Sequence, residues 1–390
     1  MKKESFSPGD TISVIFDSET KTGTLMPSSK DFLVLKLESG YNIGISKKKI
    51  KSVKLIKKYQ KPKIAFCKVQ KKPGLKTITI LHTGGTVAAE VDYKTGAVIA
   101  RFTPEELICM FPELSEIANI KSRLIRNMFS EDMRFAHYNL LAKEILKESK
   151  DSDGIIITHG TDTIGYTAAA LSFILEDLNI PVILVGAQRS SDRPSTDAAL
   201  NLICASHFIT KTDFAEVAVC MHEKLNDESC LILPGCKTRK VHSSRRDGFR
   251  AINSKPIARV KIDGSINFLN NFKKRSNSKI KLKLFKENIK VGLIKVHPNM
   301  YAKEFEAYKG FNGLLIEGTG LGHAPINKID KETSEHVRIL NSIKTLAKKI
   351  PVAMSTQTIS GRIDMNVYST GRLLQEAGVI GNYSDVHPET

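Results

Sequence analysis

Two short stretches of this sequence place hydroxyl and acidic side chains directly after an apolar segment. TITILHTGGT, residues 77–86, carries Thr83 and two glycines, and GIIITHGTDT, residues 154–163, carries Thr161 and Asp162. A threonine hydroxyl is a weak nucleophile until a base or a polarising neighbour activates it. A carboxylate such as Asp162 can bind the ammonium group of a ligand, or it can pair with the lysine of a lysine–threonine pair. The residue types therefore predict one catalytic site built from two distant segments of the chain.

The same two stretches contain the glycines that a close approach to a ligand requires. Gly84, Gly85 and Gly160 permit tight turns, and the exposed backbone N–H groups of such turns can hold a carboxylate or stabilise an oxyanion. Each turn alone also fits a capped loop between a strand and a helix, because Thr, Asp and Gly are common there. His82 and His159 precede the glycines, and we expect both to pack or hydrogen-bond beneath the turns.

An α/β fold must position these turns. From residue 77, continuous apolar segments such as IIIT, PVILVGA and EVAVCM alternate with segments that have helical periodicity. Continuous apolar strands, each followed by a helix, are typical of a parallel sheet that is covered on both faces. Ligands bind at the carboxyl ends of the strands in such sheets. Both threonine-containing turns follow strands at those ends.

The sequence divides into three predicted structured parts. Residues 1–60 contain five short strands separated by turn-forming residues, which predicts a small SH3-like β-barrel. Residues 61–76, rich in Lys and Pro, form a predicted linker. We expect an α/β domain with the active site over residues 77–275, a polar and basic linker over 276–288, and a smaller α/β domain over 289–390.

Composition narrows the class of protein without defining a partner. The chain has 390 residues and a net charge of +18, of which +11 lies in residues 1–75. That excess fits either a lysine-rich surface or attraction to a polyanion such as RNA, because both depend on clustered positive charge. No apolar run reaches the ~18 residues of a membrane helix, and MKKESFSPGD lacks the apolar core of a secretory signal. Six scattered cysteines suggest reduced thiols and a cytoplasmic protein.

Several segments, in order, resemble the asparaginase/glutaminase superfamily. TGGT and THGTDT, each after a strand, are similar to the two signature motifs of bacterial-type L-asparaginases. RNMFSEDM (126–133) resembles the substrate-clamping segment, and CKTRKVHSSRRDGF (236–249) resembles the segment with the catalytic lysine. VILVGAQRSSDRPSTDAALNL is similar to the strand–loop–helix that follows the second motif. The resemblance spans residues 77 to about 384 and implies a two-domain asparaginase-like fold.

The resemblance also assigns roles to individual residues. Thr83 is the preferred nucleophile, and Tyr93 would activate it from a mobile loop. Thr161, Asp162 and Lys240 would form a second triad that transfers protons. The remaining residues of the implied site would bind the amino-acid end of the donor or supply backbone amides: Ser130, Glu131, Gly84 and Gly160. The resemblance leaves open which threonine attacks.

Two features resemble the D-type subunits of archaeal glutamyl-tRNA(Gln) amidotransferases. One is the local sequence of the segments SEDM, RKVHSSRRDGF and GRIDMNVYSTGR, and the other is the presence of about 75 extra residues in front of the asparaginase-like part. This implies an amidohydrolase that releases ammonia from glutamine or asparagine. A partner, the E-type subunit of such enzymes, would bind tRNA(Gln) charged with Glu and use ATP and Mg2+ to convert it to Gln-tRNA(Gln). The resemblance implies no metal or cofactor on this chain, a homodimer of the asparaginase-like module, and a dimer of heterodimers.

Two further expectations concern the extent of the second domain and the alternative functions of the chain. The sequence ends at VHPET, where the family continues into further helices, so we expect a truncated second domain. The alternative function is a free cytoplasmic L-asparaginase or glutaminase with an added N-terminal barrel. A non-catalytic RNA-binding scaffold is a third possibility, which the presence of the four candidate catalytic residues Thr83, Thr161, Asp162 and Lys240 disfavours.

Overall fold

A computed structural model describes residues 6–38, 41–59, 71–85, 87, 89–91, 98–100, 103–189 and 196–390. Its N-terminal part is a five-stranded antiparallel sheet with the order β4-β3-β2-β1-β5. The strands are β1 (Thr11–Phe16), β2 (Glu19–Met26), β3 (Phe32–Lys36), β4 (Asn42–Ser46) and β5 (Ile50–Lys57). Alternating side chains pack into a small core of Ile12, Val14, Leu25, Leu35 and Ile45. This is the strand-rich N-terminal region that the spacing of turn residues predicts.

The remaining chain alternates strands and helices. The strands are β6 (Thr77–His82), β7 (Ala89–Val91), β8 (Val98–Ala100), β9 (Asn119–Leu124), β10 (Gly154–Thr158), β11 (Leu175–Glu176), β12 (Val182–Val185), β13 (Val217–His222), β14 (Ser229–Pro234), β15 (Thr238–Lys240), β16 (Phe249–Ala251), β17 (Ala258–Lys261), β18 (Ile266–Phe268), β19 (Lys281–Leu282), β20 (Val291–Lys295), β21 (Gly313–Gly318) and β22 (Val352–Thr356). The helices are α1 (Pro104–Met110), α2 (Leu114–Ile117), α3 (Phe135–Glu148), α4 (Ile164–Ile174), α5 (Ala198–Lys211), α6 (Ala302–Glu306), α7 (Glu335–Ala347) and α8 (Ser369–Glu376).

An eight-stranded sheet forms the centre of the molecule, in the order β18-β17-β14-β13-β12-β10-β6-β9. The five strands from β13 to β9 are parallel, and continuous apolar runs predict four of them, β6, β10, β12 and β13. Strands β14, β17 and β18 extend the sheet antiparallel, so the whole sheet is mixed. Every residue of β10 and β12 is buried, with large apolar clusters on both faces of the sheet. Helix α1 begins with a capping box at Thr103.

A second, smaller sheet holds the C-terminal part together. Strands β20, β21 and β22 are parallel, and α6, α7 and α8 accompany them around a separate apolar cluster. Polar contacts join this part to the larger one: Lys237 forms an ion pair with Asp385, and the Asn253 side-chain amide donates to the Gly361 carbonyl at 2.9 Å. The Lys237 contact lies beside β15, which carries Lys240.

The two predicted linkers differ in what the structure describes. Most of the first, residues 60–70, lies outside the described part of the chain. The second contains β19, which pairs with β11, and Phe285, whose ring packs against that of Phe135 with centroids 5.1 Å apart. Although polar in composition, this second segment is therefore packed against the larger α/β part.

The cysteines differ in part from the expectation of reduced thiols. Cys204, Cys220, Cys230 and Cys236 are free, whereas Cys109 is disulfide-bonded. The expectation is therefore wrong at Cys109, because scattered spacing carries no information about which cysteines meet in three dimensions. Within the described part of the chain, no helix combines the length and the apolar composition that a membrane crossing requires.

Candidate active site

The two threonine-containing turns meet because their strands are neighbours. Strands β6 and β10 are parallel and in register, with His82 opposite Thr158 at their carboxyl ends. The Thr83 backbone N–H donates to the Thr158 carbonyl at 3.1 Å, so the two chains stay paired for one residue beyond the strands. Segments that are about 75 positions apart in sequence therefore enter the same edge of the sheet side by side, as the parallel-sheet argument predicts.

Glycines allow the turns to touch. Gly84 and Gly85 have φ angles of 116° and 82°, in the region that favours glycine. A Cβ on Gly84 would overlap the Met128 carbonyl oxygen, and a Cβ on Gly85 would lie 2.7 Å from the Gly160 nitrogen. The backbones of three segments thus approach more closely than side chains would permit.

We expect Gly84→Ala to destabilise the protein by about 1–3 kcal/mol from the backbone angle alone, and by more from the overlap with the Met128 carbonyl. Urea unfolding should show a lower midpoint, and amide hydrolysis should fall with it. Gly310→Ala is the matched control, since Gly310 also has a positive φ, 87°, but open space where a Cβ would lie. Equal losses in the two variants would contradict the close-approach explanation.

Thr161, Asp162 and Lys240 form one hydrogen-bonded group. The Lys240 ammonium donates to the Thr161 hydroxyl at 2.9 Å and to the Asp162 carboxylate at 2.8 Å. Lys240 is the last residue of β15, whose pairing with β16 sets its position. Its side chain is only 14% exposed, whereas the side chain of Asp162 is 67% exposed. The lysine is therefore held by fixed neighbours, and the carboxylate faces the solvent, where it can meet a ligand.

The segment that resembles a substrate clamp contacts the second turn. Ser130 and Glu131 begin a short 3-10 helix, Ser130–Asp132, and Ser130 is buried. The Thr163 hydroxyl donates to the Ser130 carbonyl at 2.6 Å, which fixes the clamp to the second turn. A Cβ on Gly160 would lie 2.8 Å from the Ser130 hydroxyl oxygen, so the absence of a side chain at Gly160 makes room for Ser130.

A cleft of about 850 Å3 joins these groups. Its lining includes six of the predicted site residues: Ser130, Glu131, Gly160, Thr161, Asp162 and Lys240. Gly85, Met128 and Ser243 also line it. The cleft combines one cation, carboxylates, hydroxyls and backbone amides, which fits a small zwitterionic ligand such as an amino acid.

The structure places the two remaining predicted catalytic residues differently. Thr83 is 2% exposed and lies beneath the cleft rather than on its lining, with its hydroxyl donating to the Thr158 carbonyl at 2.9 Å. Its neighbour Gly85 does reach the cleft. To attack a ligand, the Thr83 hydroxyl would have to leave the Thr158 carbonyl by rotation about χ1. Tyr93 lies outside the described residues.

The histidines of the two motifs are structural. His159 is fully buried; it donates to the Gly160 carbonyl at 2.7 Å and its other ring nitrogen contacts the Thr167 hydroxyl at 2.7 Å. Burial lowers the pKa of His159 from 6.5 to about 4 and the pKa of His82 from 6.5 to about 3. Both rings are therefore uncharged at neutral pH and lie under the turns, as expected from the sequence.

These lowered pKa values predict a pH dependence of stability. Between about pH 4 and 6.5 the unfolded chain binds protons that the folded protein does not, so the free energy of unfolding rises with pH across that window and levels off above it. We expect His159→Gln, which keeps one donor and one acceptor, to make the rise in the free energy of unfolding across this window smaller by about 3 kcal/mol, as urea unfolding can measure. His336→Gln, on α7 in the C-terminal part of the chain, is the control and should leave the slope in place. An unchanged slope in His159→Gln would contradict the burial argument.

Sequence reasoning missed Gln188 as a residue of the site. It follows β12, lines the cleft, and accepts a hydrogen bond from the Thr161 hydroxyl at 3.3 Å. Its position could have been suspected, because it lies two residues past Gly186 at the carboxyl end of the strand that neighbours β10. Only its contact with Thr161 marks its side chain as part of the site.

Family models match nearly the whole chain. The model for the asparaginase N-terminal domain matches residues 77–274, the glutaminase/asparaginase C-terminal domain matches 290–390, and the GatD N-terminal domain matches 6–56. Among solved structures, the thermostable L-asparaginase from Thermococcus kodakarensis superposes with a TM-score of 0.68 at 29% identity, covering 80% of this chain and 89% of that one. L-asparaginase I from Vibrio cholerae gives 0.68 at 27% identity, covering 81% and 90%. Fold and site together define an asparaginase-class protein.

Full-length relatives narrow this class. The D-type subunit of the glutamyl-tRNA(Gln) amidotransferase from Pyrococcus horikoshii is 48% identical over 407 aligned positions, which cover 100% of this chain and 89% of the relative. The corresponding protein from a Methanococcus maripaludis strain is 45% identical over 381 positions, covering 95% and 88%. The chain belongs to the GatD family, the D-type subunits of glutamyl-tRNA(Gln) amidotransferases.

Proposed function

We propose that this chain is the glutaminase subunit of a tRNA-dependent amidotransferase and that it hydrolyses the side-chain amide of glutamine to supply ammonia. The observation that carries the proposal is the pair of hydrogen bonds from Lys240 to Thr161 and Asp162 on the wall of the cleft. A threonine hydroxyl next to a lysine and a carboxylate is a proton-transfer device, and a primary amide needs one because its leaving group must depart as ammonia. The family membership gives the reaction its context.

Each group of the site has its own role in the proposed amide hydrolysis. The Thr83 oxygen attacks the amide carbon as its proton passes to Thr161, a Thr161 proton passes to Lys240 and a Lys240 proton passes to the Asp162 carboxylate. Backbone N–H groups of the two glycine turns receive the developing oxyanion. Collapse of the tetrahedral species breaks the C–N bond, and the proton moves to the departing nitrogen, which leaves as ammonia. Water then attacks the threonine ester by the same proton path and releases glutamate. Tyr93 is proposed to assist Thr83.

The donor's amino-acid end is proposed to bind to Ser130, Glu131 and Asp162. Ser130 would donate to the α-carboxylate, and Glu131 and Asp162 would receive the α-ammonium group. The three side chains all line the cleft, and two of them carry the negative charge that an ammonium group requires. Asparagine, one methylene shorter, could occupy the same groups with its amide displaced, so it remains the second candidate donor.

The partner arrangement follows from the family. We propose a complex with the E-type subunit in the cytoplasm, assembled as a dimer of heterodimers through a homodimer of the asparaginase-like module. The E-type subunit would bind Glu-tRNA(Gln) and use ATP and Mg2+, with no cofactor on this chain. Among the described residues, no cluster of three or more His, Cys, Asp or Glu side chains could hold a metal ion.

Co-expression with a candidate E-type subunit tests this function. The purified complex should convert glutamyl-tRNA(Gln) to glutaminyl-tRNA(Gln) with glutamine and ATP, and nitrogen-15 from the glutamine side chain should appear in the product. The isolated chain should release ammonia much more slowly than the complex with charged tRNA. Full-rate ammonia release by the isolated chain, with no transfer to tRNA, would instead support the free asparaginase or glutaminase.

A further inference from the structure

The amide of Gln188 controls where the Thr161 proton points. We propose that Gln188 is a positioning residue: its amide oxygen holds the Thr161 hydroxyl proton in the resting site, and its amide N–H group supports the Thr161 oxygen once the proton has moved to Lys240. The inference deepens the proposed function and rests on it, because it assigns a role within the same amide hydrolysis.

Counting hydrogens on the Thr161 oxygen gives the first argument. A lysine ammonium has three donors and no acceptor, so the 2.9 Å contact between the Lys240 nitrogen and Thr161 Oγ1 uses a lysine hydrogen. The single hydroxyl hydrogen of Thr161 is then free for another acceptor, and Gln188 Oε1 lies 3.3 Å away. In this arrangement the hydroxyl proton points away from the lysine, so the site is at rest.

The second argument comes from the other half of the amide. Gln188 Nε2 is buried and has no hydrogen-bond partner among the described residues. Buried donors without partners are rare in folded proteins and call for an explanation. A half-turn about the last side-chain torsion, which is broad and nearly two-fold, exchanges the positions of Oε1 and Nε2. The unpaired N–H group would then donate to Thr161 Oγ1.

The two orientations match the two proton states of the site. When the proton path runs, Lys240 passes one of its hydrogens to the Asp162 carboxylate, which lies 2.8 Å away. The Thr161 O–H bond then breaks and a new Lys240 N–H bond forms, which leaves negative charge on Thr161 Oγ1. An amide oxygen facing that charge would repel it, whereas an amide N–H group would stabilise it. The reverse transfers return one proton from Lys240 to Thr161 and one from Asp162 to Lys240, and they restore the first orientation, so no proton is gained or lost in the cycle.

The backbone of Gln188 is fixed, so only the side chain needs to move. The Gln188 backbone N–H donates to the Asp197 carboxylate at 3.0 Å, and Asp197 is fully buried. The Asn201 side-chain amide donates to the Gly186 carbonyl at 2.9 Å, which holds the same turn from behind. A Cβ on Gly248 would lie 3.3 Å from Gln188 Nε2, so the glycine leaves room for the amide. A residue with a fixed backbone and a side-chain amide that can rotate suits a positioning role.

Two variants in the assembled complex test the proposal, with glutamine as substrate. Gln188→Met removes both donor and acceptor at similar volume, and we expect kcat to fall about 10–100-fold with KM changed less than about threefold. Gln188→Glu keeps the acceptor and loses the donor, so kcat should fall at least as far. Its carboxylate would favour the ammonium form of Lys240, so the acid limb of the kcat–pH profile should move to higher pH.

Gln375→Met is the control for the glutamine-to-methionine change, since Gln375 lies on α8 and contacts Asn366 rather than the cleft. A purely structural role for Gln188 would lower the melting temperature without moving the pH profile. Methionine or glutamate variants of Gln188 with wild-type kcat and an unmoved pH profile, in a complex whose wild type is active, would contradict the role of Gln188 alone. A wild-type complex that releases no ammonia from glutamine would contradict the proposed function, and the role of Gln188 with it.

Discussion

Lys240→Met is expected to lower kcat for glutamine hydrolysis in the assembled complex by about 10³-fold or more. The Lys240 nitrogen is the only side-chain donor that contacts both Thr161 and Asp162 among the described residues, at 2.9 and 2.8 Å. Without it, neither the threonine oxygen nor the departing nitrogen has a nearby group with which to exchange a proton. Methionine has a similar length, so the loss should come from chemistry rather than from packing. Ammonia release under single-turnover conditions measures it.

External ammonia separates a chemical defect from an assembly defect in this variant. Because the proposed activation of the glutamyl group takes place on the E-type subunit, ammonium chloride should restore glutaminyl-tRNA(Gln) formation by the Lys240→Met complex to about the wild-type level. Lys261→Met, at an exposed position on β17, is the matched control and should leave hydrolysis unchanged. Lys240→Met with wild-type hydrolysis, or with hydrolysis lost and no rescue by ammonia, would remove Lys240 from the proposed proton path.

Thr83→Val should abolish covalent catalysis, with kcat reduced by about 10³-fold or more. The Thr83 hydroxyl donates to the Thr158 carbonyl at 2.9 Å, but that carbonyl also accepts the Thr83 backbone N–H at 3.1 Å, so loss of the hydroxyl leaves it with a partner. The cost in stability should therefore be small, about 1 kcal/mol. Thr79→Val is a matched control on the same strand, since Thr79 is also buried and its hydroxyl contacts that of Ser152 at 2.6 Å, away from the cleft.

Covalent trapping decides between the two threonines. A glutamine analogue with a diazoketone in place of the amide should leave its label on the peptide that contains Thr83, as peptide mass spectrometry can establish. Thr161→Val should still bind the analogue but react slowly, because its proton path is broken. A label on the peptide that contains Thr161 would reverse the two roles. That outcome would suit the observed exposure of Thr161 on the cleft and the burial of Thr83.

The individual elements show how far the sequence can be interpreted. Continuous apolar runs predict β6, β10, β12 and β13 as parallel strands, and the structure confirms them. The sequence does not predict the antiparallel strands β14, β17 and β18. Strands β17 and β18 are only four and three residues long, and a short buried run such as β14 carries no pattern that separates a strand from a helix. The polar composition of the segment with Phe285 predicts a linker, although two aromatic neighbours hold it against α3. Composition reports average solvation, whereas packing depends on single side chains.

The sequence by itself determined the chemistry available to this protein: two threonines, a carboxylate and glycines at the ends of two buried strands, with a lysine supplied by a segment some 80 positions further on. Those identities, together with the resemblance to asparaginases, predict hydrolysis of a side-chain amide. The tertiary structure alone decided which side chains meet. It brought Lys240 onto Thr161, placed Thr83 beneath the cleft and added Gln188, because hydrogen bonds act over about 3 Å and local sequence does not specify distances between remote segments.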